Sequence, residues 1–373
     1  MNLKCMMWSF LMAQEGYNQD ANLSMMKNKG IRIGIVTAVV VVALTMLAQC
    51  HSNHKNAKGT SMMVEVSEDA IKAATEKEFD EIMSRCCEVM EDRIQLFCEE
   101  EPGLEKAKFS VKKLSDHKSI RIDFTNLKLS QEQVARVLKL LQSHGCLQFY
   151  ETYCFNELYD CFFKANEKLS AKYEQSDIED ENVNLNGPLS RIVQFSINQE
   201  KFSSGWNAFV GTAQVNDTAA VNQMLFETSN YFPRDLKFAW TVKPIVTDNN
   251  EALELVALKM SKDNKCALDG EIIKNARQEY SSITHDPEIL IEMNNEGAMA
   301  WKQITGRNIG KQIAVVFDGY VYSYPIVAGE IPNGRSSISG ANLTAEEAKD
   351  LANILNAGML PITISVNVIT NDN

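Results

Sequence analysis

A chain of 373 residues, 45% hydrophobic and 23% charged, carries enough apolar material for a substantial core, and its length suits about two domains. Its formal net charge of −12 speaks against a nucleic-acid partner, because a phosphate backbone is held by clustered Lys and Arg. The nine cysteines show no CxxC spacing, so buried free thiols are expected rather than a zinc ribbon, a redox motif or a disulfide framework.

Lys27, Lys29 and Arg32 precede an uncharged apolar run from Ile33 to Gln49. The run is short for a spanning helix and long for a signal peptide, and either form sends the chain into the export pathway. It ends Leu47-Ala48-Gln49-Cys50, similar to the lipobox of bacterial lipoproteins, in which the cysteine becomes the lipidated first residue. Lipid attachment is therefore expected at Cys50. An uncleaved signal-anchor helix is the competing reading, since Gln49 stands where Gly, Ala or Ser is usual. Met25 and Met26 lie directly before the basic cluster, and a start there gives the short basic leader of targeting segments, with residues 1–25 a misassigned start and 26–50 the signal. No later run reaches transmembrane length, so the rest is expected to be membrane-adjacent and to face away from the cytoplasm.

Residues 51–59 read as a polar linker. Met62 to Val66 reads as a strand, Ser67 as the cap of a following helix, and Phe79, Ile82, Met83, Cys86, Met90, Ile94 and Phe97 recur at helical spacing. Glu99, Glu100 and Glu101 before Pro102-Gly103 read as a solvated helix end. Strands are expected at Phe109 to Leu114 and Ser119 to Phe124, the second alternating Ile120, Ile122 and Phe124 with Arg121 and Asp123. Ser130 and Gln133 form a capping box for a helix carrying Val134, Val137, Leu138 and Leu141, and a strand from Cys146 to Thr152 follows Gly145. The order strand, helix, strand, strand, helix, strand is the split βαβ, ferredoxin-like arrangement, an α+β unit over 60–170.

After a helix near Asn156 to Leu169, an acidic loop fills 171–188. A second α+β unit over 189–340 is expected to hold strands near Ile192 to Ile197, Leu236 to Val242, Leu253 to Met260 and Glu288 to Met293, with helices at Thr218 to Thr228 and Glu296 to Thr305. Asp318-Gly319 between Ile313 to Phe317 and Tyr320 to Ser323 supplies the positive dihedrals of a two-residue hairpin. In 341–373, Thr344 and Glu347 box a helix that stops at Gly358, and a strand from Ile362 to Val368 follows.

The stretch Asn308-Ile309-Gly310-Lys311-Gln312-Ile313-Ala314-Val315-Val316-Phe317-Asp318-Gly319-Tyr320-Val321-Tyr322-Ser323-Tyr324-Pro325 resembles the "GK-x-AIVLDG-x-V-x-SAP" signature of the SecD (SecDF) protein-export family. Ile338-Ser339-Gly340 and Leu343 to Ala352, ending Ala357-Gly358-Met359-Leu360-Pro361, resemble that family's "I-x-G-x-FT-x-EEAKDLA…AG-x-LP" block. Ala267 to Glu271 and Met293 to Ala298 match further family segments, and Leu140-Leu141-Gln142 through Leu147 to Tyr153 is similar to the "LLQ…LEFWETY" stretch of Bacteroidetes-type SecDF proteins. The resemblance covers roughly residues 60 to 365. It implies a first periplasmic domain: a ferredoxin-like base, completed by the C-terminal helix and strand, with an inserted head that touches preprotein emerging from the translocon. Lys58-Gly59-Thr60-Ser61 holds the place of the family's "GLDL-x-GG" motif. The resemblance does not reach the proton-conducting transmembrane helices or the SecF half, so proton-driven pulling is not expected of this chain alone.

The five histidines, His51, His54, His117, His144 and His285, never fall at metal-ligand spacing and read as surface residues. Gly310-Lys311 lacks the upstream glycine and the Ser or Thr of a phosphate cradle, and no GxSxG occurs. No catalytic, cofactor or metal residue is expected, and the chain reads as a non-enzymatic export accessory. Its expected partners are exported polypeptide or Sec translocon components, with the membrane reached through a lipid anchor or an N-terminal helix. The alternative is a binding or structural lipoprotein that reuses the fold for another partner.

Overall fold

The computed structural model describes residues 59–66, 76–114, 118–173, 187–196, 206–247, 250–340, 342–362 and 364–369. The targeting run, Cys50 and the Ser67 cap lie outside the described residues. The described residues form a mixed α/β structure with three sheets whose paired strands run antiparallel.

Strand β1 (Ser61–Val66) leads to the long helix α1 (Glu76–Glu100), then β2 (Phe109–Lys113), β3 (Ser119–Phe124) and helix α2 (Gln131–Gln142). The α2 capping box forms as its residues dictate: Ser130 accepts from the Gln133 N–H, and the Gln133 side chain accepts from the Ser130 N–H. Met62 and Val64 of β1 and Ile120, Ile122 and Phe124 of β3 bury one sheet face against Met83, Cys86, Met90, Ile94 and Phe97 of α1.

The chain then enters a second sheet. In order come β4 (Leu147–Thr152), α3 (Phe155–Tyr173), the short α4 (Pro188–Ile192), β5 (Gln194–Phe195), β6 (Phe209–Gln214), α5 (Thr218–Glu227), β7 (Leu236–Trp240), β8 (Ile245–Thr247), β9 (Asn250–Lys259) and β10 (Leu268–Asp269). A third sheet is made by β11 (Ile273–Tyr280) and β12 (Pro287–Met293), followed by α6 (Asn295–Arg307). The hairpin β13 (Ile313–Phe317) and β14 (Tyr320–Ser323) returns to the second sheet, and β15 (Arg335–Ile338) to the third. Helix α7 (Ala345–Ala357) and β16 (Ile364–Ile369) follow.

Two differences from the sequence expectation stand out. The strand at Leu147–Thr152 does not join β1, β2 and β3. It sits inside the second sheet, between β13 and β9, while β16 pairs with β1 so that the first sheet runs β16-β1-β3-β2. The physical reason lies in the two faces of β4: Leu147 and Phe149 enter the same core as the α1 face, and Tyr150 is buried among small residues on the other side. A strand buried on both faces belongs mid-sheet. The second difference is at Ile192 to Ile197, where a helical turn opened by Pro188 is followed by only a two-residue strand. Proline's fixed φ favours the first helical position, and Leu189 is anchored there because its N–H donates to the buried Asn166 side chain at 3.0 Å.

The second sheet closes on itself. β13 pairs with β4, β4 with β9, β9 with β7, and a bridge between Thr241 and Val321 joins β7 to β14, which pairs with β13. Ala208, Ala239, Ala314, Val256, Val316 and Val321, all buried, fill the inside with Tyr150 and Leu258. Small side chains are what a path of so few strands can enclose. Outside it, Phe155, Phe162, Phe195, Phe232 and Phe238 form a separate aromatic core under α3, with ring centroids 5.0–6.0 Å apart.

Arg93 occupies the apolar face of α1 with no exposed surface. One terminal nitrogen donates to the carbonyls of Leu140 (2.7 Å) and Ser143 (2.6 Å), the other to those of His144 (3.3 Å) and Gly358 (2.8 Å). These acceptors lie at the C-terminal ends of α2 and α7, where helix carbonyls lack intrahelical partners and carry partial negative charge. Arg93→Met keeps the apolar stem and leaves those carbonyls unsatisfied. It is expected to destabilise the protein by at least about 3 kcal/mol, read as a fall in the urea midpoint. A change under about 0.5 kcal/mol would show that the junction is dispensable.

Candidate interaction surface

Among the described residues no group of three or more His, Cys, Asp or Glu side chains could hold a metal. Cys86, Cys87, Cys98, Cys146, Cys154, Cys161 and Cys266 are free thiols, and burial pushes the Cys86 thiol up to about 12, out of the nucleophilic range. No described helix is long and apolar enough to cross a membrane.

What the residues do build is a closed strand path with one clamped end and one open end. At the clamped end Asp318 (φ 48°) and Gly319 (φ 86°) make the β13–β14 turn as their sequence dictates. The turn also carries a second role hidden by its turn chemistry. The Asp318 carboxylate accepts from the Ser143 hydroxyl at 2.6 Å and from the Cys146 N–H at 2.8 Å, and the Asp318 N–H donates to the Cys146 carbonyl at 3.0 Å. This fastens the hairpin to the end of α2, beside Arg93. Burial lowers the Arg93 pKa to about 10, and the Asp318 charge opposes that shift.

His144, expected at the surface, is half-buried here, and burial depresses its pKa. His51, His54 and His117 lie outside the described residues, while His285 is exposed. The acidic end of α1 also differs from a merely solvated one. Glu101 and Asp350 both pair with Arg136 of α2, whose guanidinium lies 4.9 Å over the Phe97 ring, and Glu100 accepts from the Asn353 amide at 3.1 Å. Helical periodicity had no means of showing these contacts, because each joins residues from different helices.

At the open end, Glu151 of β4 accepts from the Arg307 guanidinium at 2.8 and 3.1 Å and from the Asn308 amide. Buried Gln312 binds the Ala208 N–H through its side chain, and its carbonyl accepts from Thr152. Lys311, singled out with Gly310 in the sequence, lies 4.6 Å over the Trp206 ring. Large apolar side chains are exposed on β8, at Val246, and at the β11–β12 hairpin, at Tyr280 and Ile283. The outer edge of β11 is covered: the Asn356 side chain donates to the Ala276 carbonyl and accepts its N–H, both at 2.8 Å. An edge so paired cannot template a further strand.

Burial raises the Glu151 pKa, but the hydrogen bonds from Arg307 and Asn308 outweigh it and leave the carboxyl below its ordinary value. A carboxyl that binds its proton less readily folded than unfolded stabilises at neutral pH. That contribution disappears as the pH falls through the ordinary carboxylate range toward the lower folded value. Glu151→Gln should therefore flatten the acid limb of the stability profile and leave the alkaline limb unchanged, measured by urea denaturation across pH. An unchanged acid limb would contradict the assigned pairing.

Residues 247–362 match the family described as SecDF, P1 head subdomain. The chain is 37% identical to the protein translocase subunit SecD of Rhodothermus marinus over 164 residues, 43% of this chain and 26% of that protein. It is 39% identical to that of Sebaldella termitidis over 131 residues, 32% of each chain. The chain thus spans about a quarter to a third of the length of these curated relatives. A solved structure, described as a membrane component SecDF that enhances protein export, superposes with a TM-score of 0.44 at 21% identity, covering 84% of this chain and all of that one. At that score the likeness bears no weight. The matched segment spans β9 to α7 and so includes the Asp318 hairpin; over it the chain is similar to the SecDF P1 head subdomain and to the SecD translocase subunits.

Proposed function

We propose that the chain is a non-enzymatic, membrane-anchored accessory of Sec-dependent protein export, facing the periplasm and binding polypeptide in transit. The observation that carries this reading is the P1 head match over 247–362, a segment that includes the β11–β12 hairpin with its exposed Tyr280 and Ile283. The strand order β16-β1-β3-β2, all antiparallel with β3 lying between β1 and β2, supports a ferredoxin-like base over 60–170 that is completed by the helix and strand of 341–373. Residues 189–340 then form the inserted head, to which β4 contributes a strand. The anchor is lipid at Cys50 or a retained N-terminal helix, in the inner or the outer membrane.

Exposed residues such as Val246 of β8 (77% exposed) and Ile283 of the β11–β12 turn (88% exposed) offer apolar surface that an unfolded segment can cover. In-cell crosslinking followed by purification of the tagged chain is expected to recover Sec translocon components together with exported chains. Recovery of neither, with abundant crosslinks to some other envelope protein, would favour the second reading, a lipoprotein that reuses this fold for a different partner.

A further inference from the structure

The strand ends away from the Asp318 turn form a rim whose chemistry differs from the rest of this acidic chain. Strand register locates it. Lys259 sits opposite Leu236 and Glu151, and Glu151 sits opposite Ile313. The start of β7, the ends of β9 and β4 and the start of β13 therefore share one edge. Arg234 directly precedes β7, Lys259 to Lys265 run from the end of β9 into its turn, and Lys311 directly precedes β13.

None of Arg234, Lys259, Lys262, Lys265 and Lys311 makes a close ion pair among the described residues, and of the five Lys259 alone acts through space on Glu151, opposite it. A groove of roughly 430 Å³ lies between the Arg234 turn and the Lys259 to Asn264 segment, and Arg234, Lys259 and Lys262 line it together with Met260. The carboxylate in its lining, Asp235, accepts a 2.7 Å hydrogen bond from the Tyr153 hydroxyl. The Lys259 ammonium lies 5.1 Å over the Tyr153 ring and the Lys311 ammonium 4.6 Å over the Trp206 ring, so each charge is held against an aromatic face at the rim. Beside Lys311, Ile309 and Ile326 are 55% and 40% exposed and bridge to Val327 and Gln312.

Cations outside any close ion pair next to a groove, flanked by exposed aliphatic side chains, suit an extended polypeptide that carries carboxylates between apolar residues. We propose that this rim is the docking surface for such acidic segments, an inference that rests on the polypeptide-binding reading above and adds charge selection to it. An anionic bilayer shares part of this chemistry. However, the first sheet, where the chain enters β1, attaches at the opposite, Arg93 end of the strand path. The rim and the first sheet thus lie at opposite ends of the strand path.

The test uses the full chain in phosphatidylcholine nanodiscs, titrated by fluorescence anisotropy with three labelled Ser/Leu peptides bearing Glu, Lys or no charge. The Glu peptide is expected to bind about tenfold tighter than the Lys peptide at low salt, an advantage that shrinks as NaCl rises. Arg234→Glu and Lys262→Glu, each at an exposed position, should bring the two charged peptides to parity and leave the neutral one unchanged. Equal affinity for all three peptides, unmoved by the reversals, would overturn charge selection and leave polypeptide binding standing. No binding of any peptide would overturn both. Preferential binding to phosphatidylglycerol vesicles, lost on reversal and without a Glu-peptide preference, would make the rim a membrane patch and overturn the proposal.

Discussion

The structure turns on a buried cation placed where two helices end. Arg93 sits in the apolar stripe of α1, and its guanidinium meets carbonyls from the C-terminal ends of α2 and α7. Burying a charge is unfavourable unless it is paired or hydrogen-bonded, and here both terminal nitrogens are bonded while the Nε is left without a partner. Here the partial negative charge of two helix ends stands in for a counter-ion, with the Asp318 carboxylate adding a full charge near by. No apolar residue could satisfy those carbonyls, and without them the guanidinium could not be buried. The requirement is mutual, so the first sheet's helices, α7 and the β13–β14 turn have one way to meet. Gly145 belongs to the same constraint: its φ is +84°, and a β-carbon there would fall 2.7 Å from a terminal nitrogen of Arg93.

From that junction the two ends of the strand path acquire different characters. The Asp318 end is fixed by three hydrogen bonds to Ser143 and Cys146. Helix α7 packs against both α1 and the third sheet, and one core runs from Met62 through Leu351 and Ile354 to Trp301. The opposite end holds its strands together with Glu151, Gln312 and Thr152 but leaves cations and aliphatic side chains facing outward. A body braced at one end and chemically open at the other suits contact with other chains.

Much of this was legible in local sequence because it is locally determined. The α1 stripe from Phe79 to Phe97, the capping boxes at Ser130 and Thr344, the alternation of Ile120, Ile122 and Phe124, and the Asp318-Gly319 turn each depend on residues within a few positions. Partnership between distant elements was not legible. Leu147 to Thr152 reads as a strand in any sheet, and its departure from β1 is set by which surfaces Phe149 and Tyr150 can cover. Strand β6 went unseen because its side chains are small around Gly211, which lies against the Gln194 carbonyl. The polar residues of the junction gave no signal at all: Arg93 has the spacing of an ordinary helix residue, and the turn role of Asp318 conceals its grip on α2.

The central claim is that the Arg93 junction makes the first sheet and the closed strand path one cooperative body. Hydrogen-exchange mass spectrometry of the full chain under rising urea tests it most directly. The account predicts that peptides covering β1 and β16 lose protection at the same denaturant concentration as those covering β4 and β13. Exchange in β1 and β16 at distinctly lower urea, with β4 and β13 still protected, would contradict it.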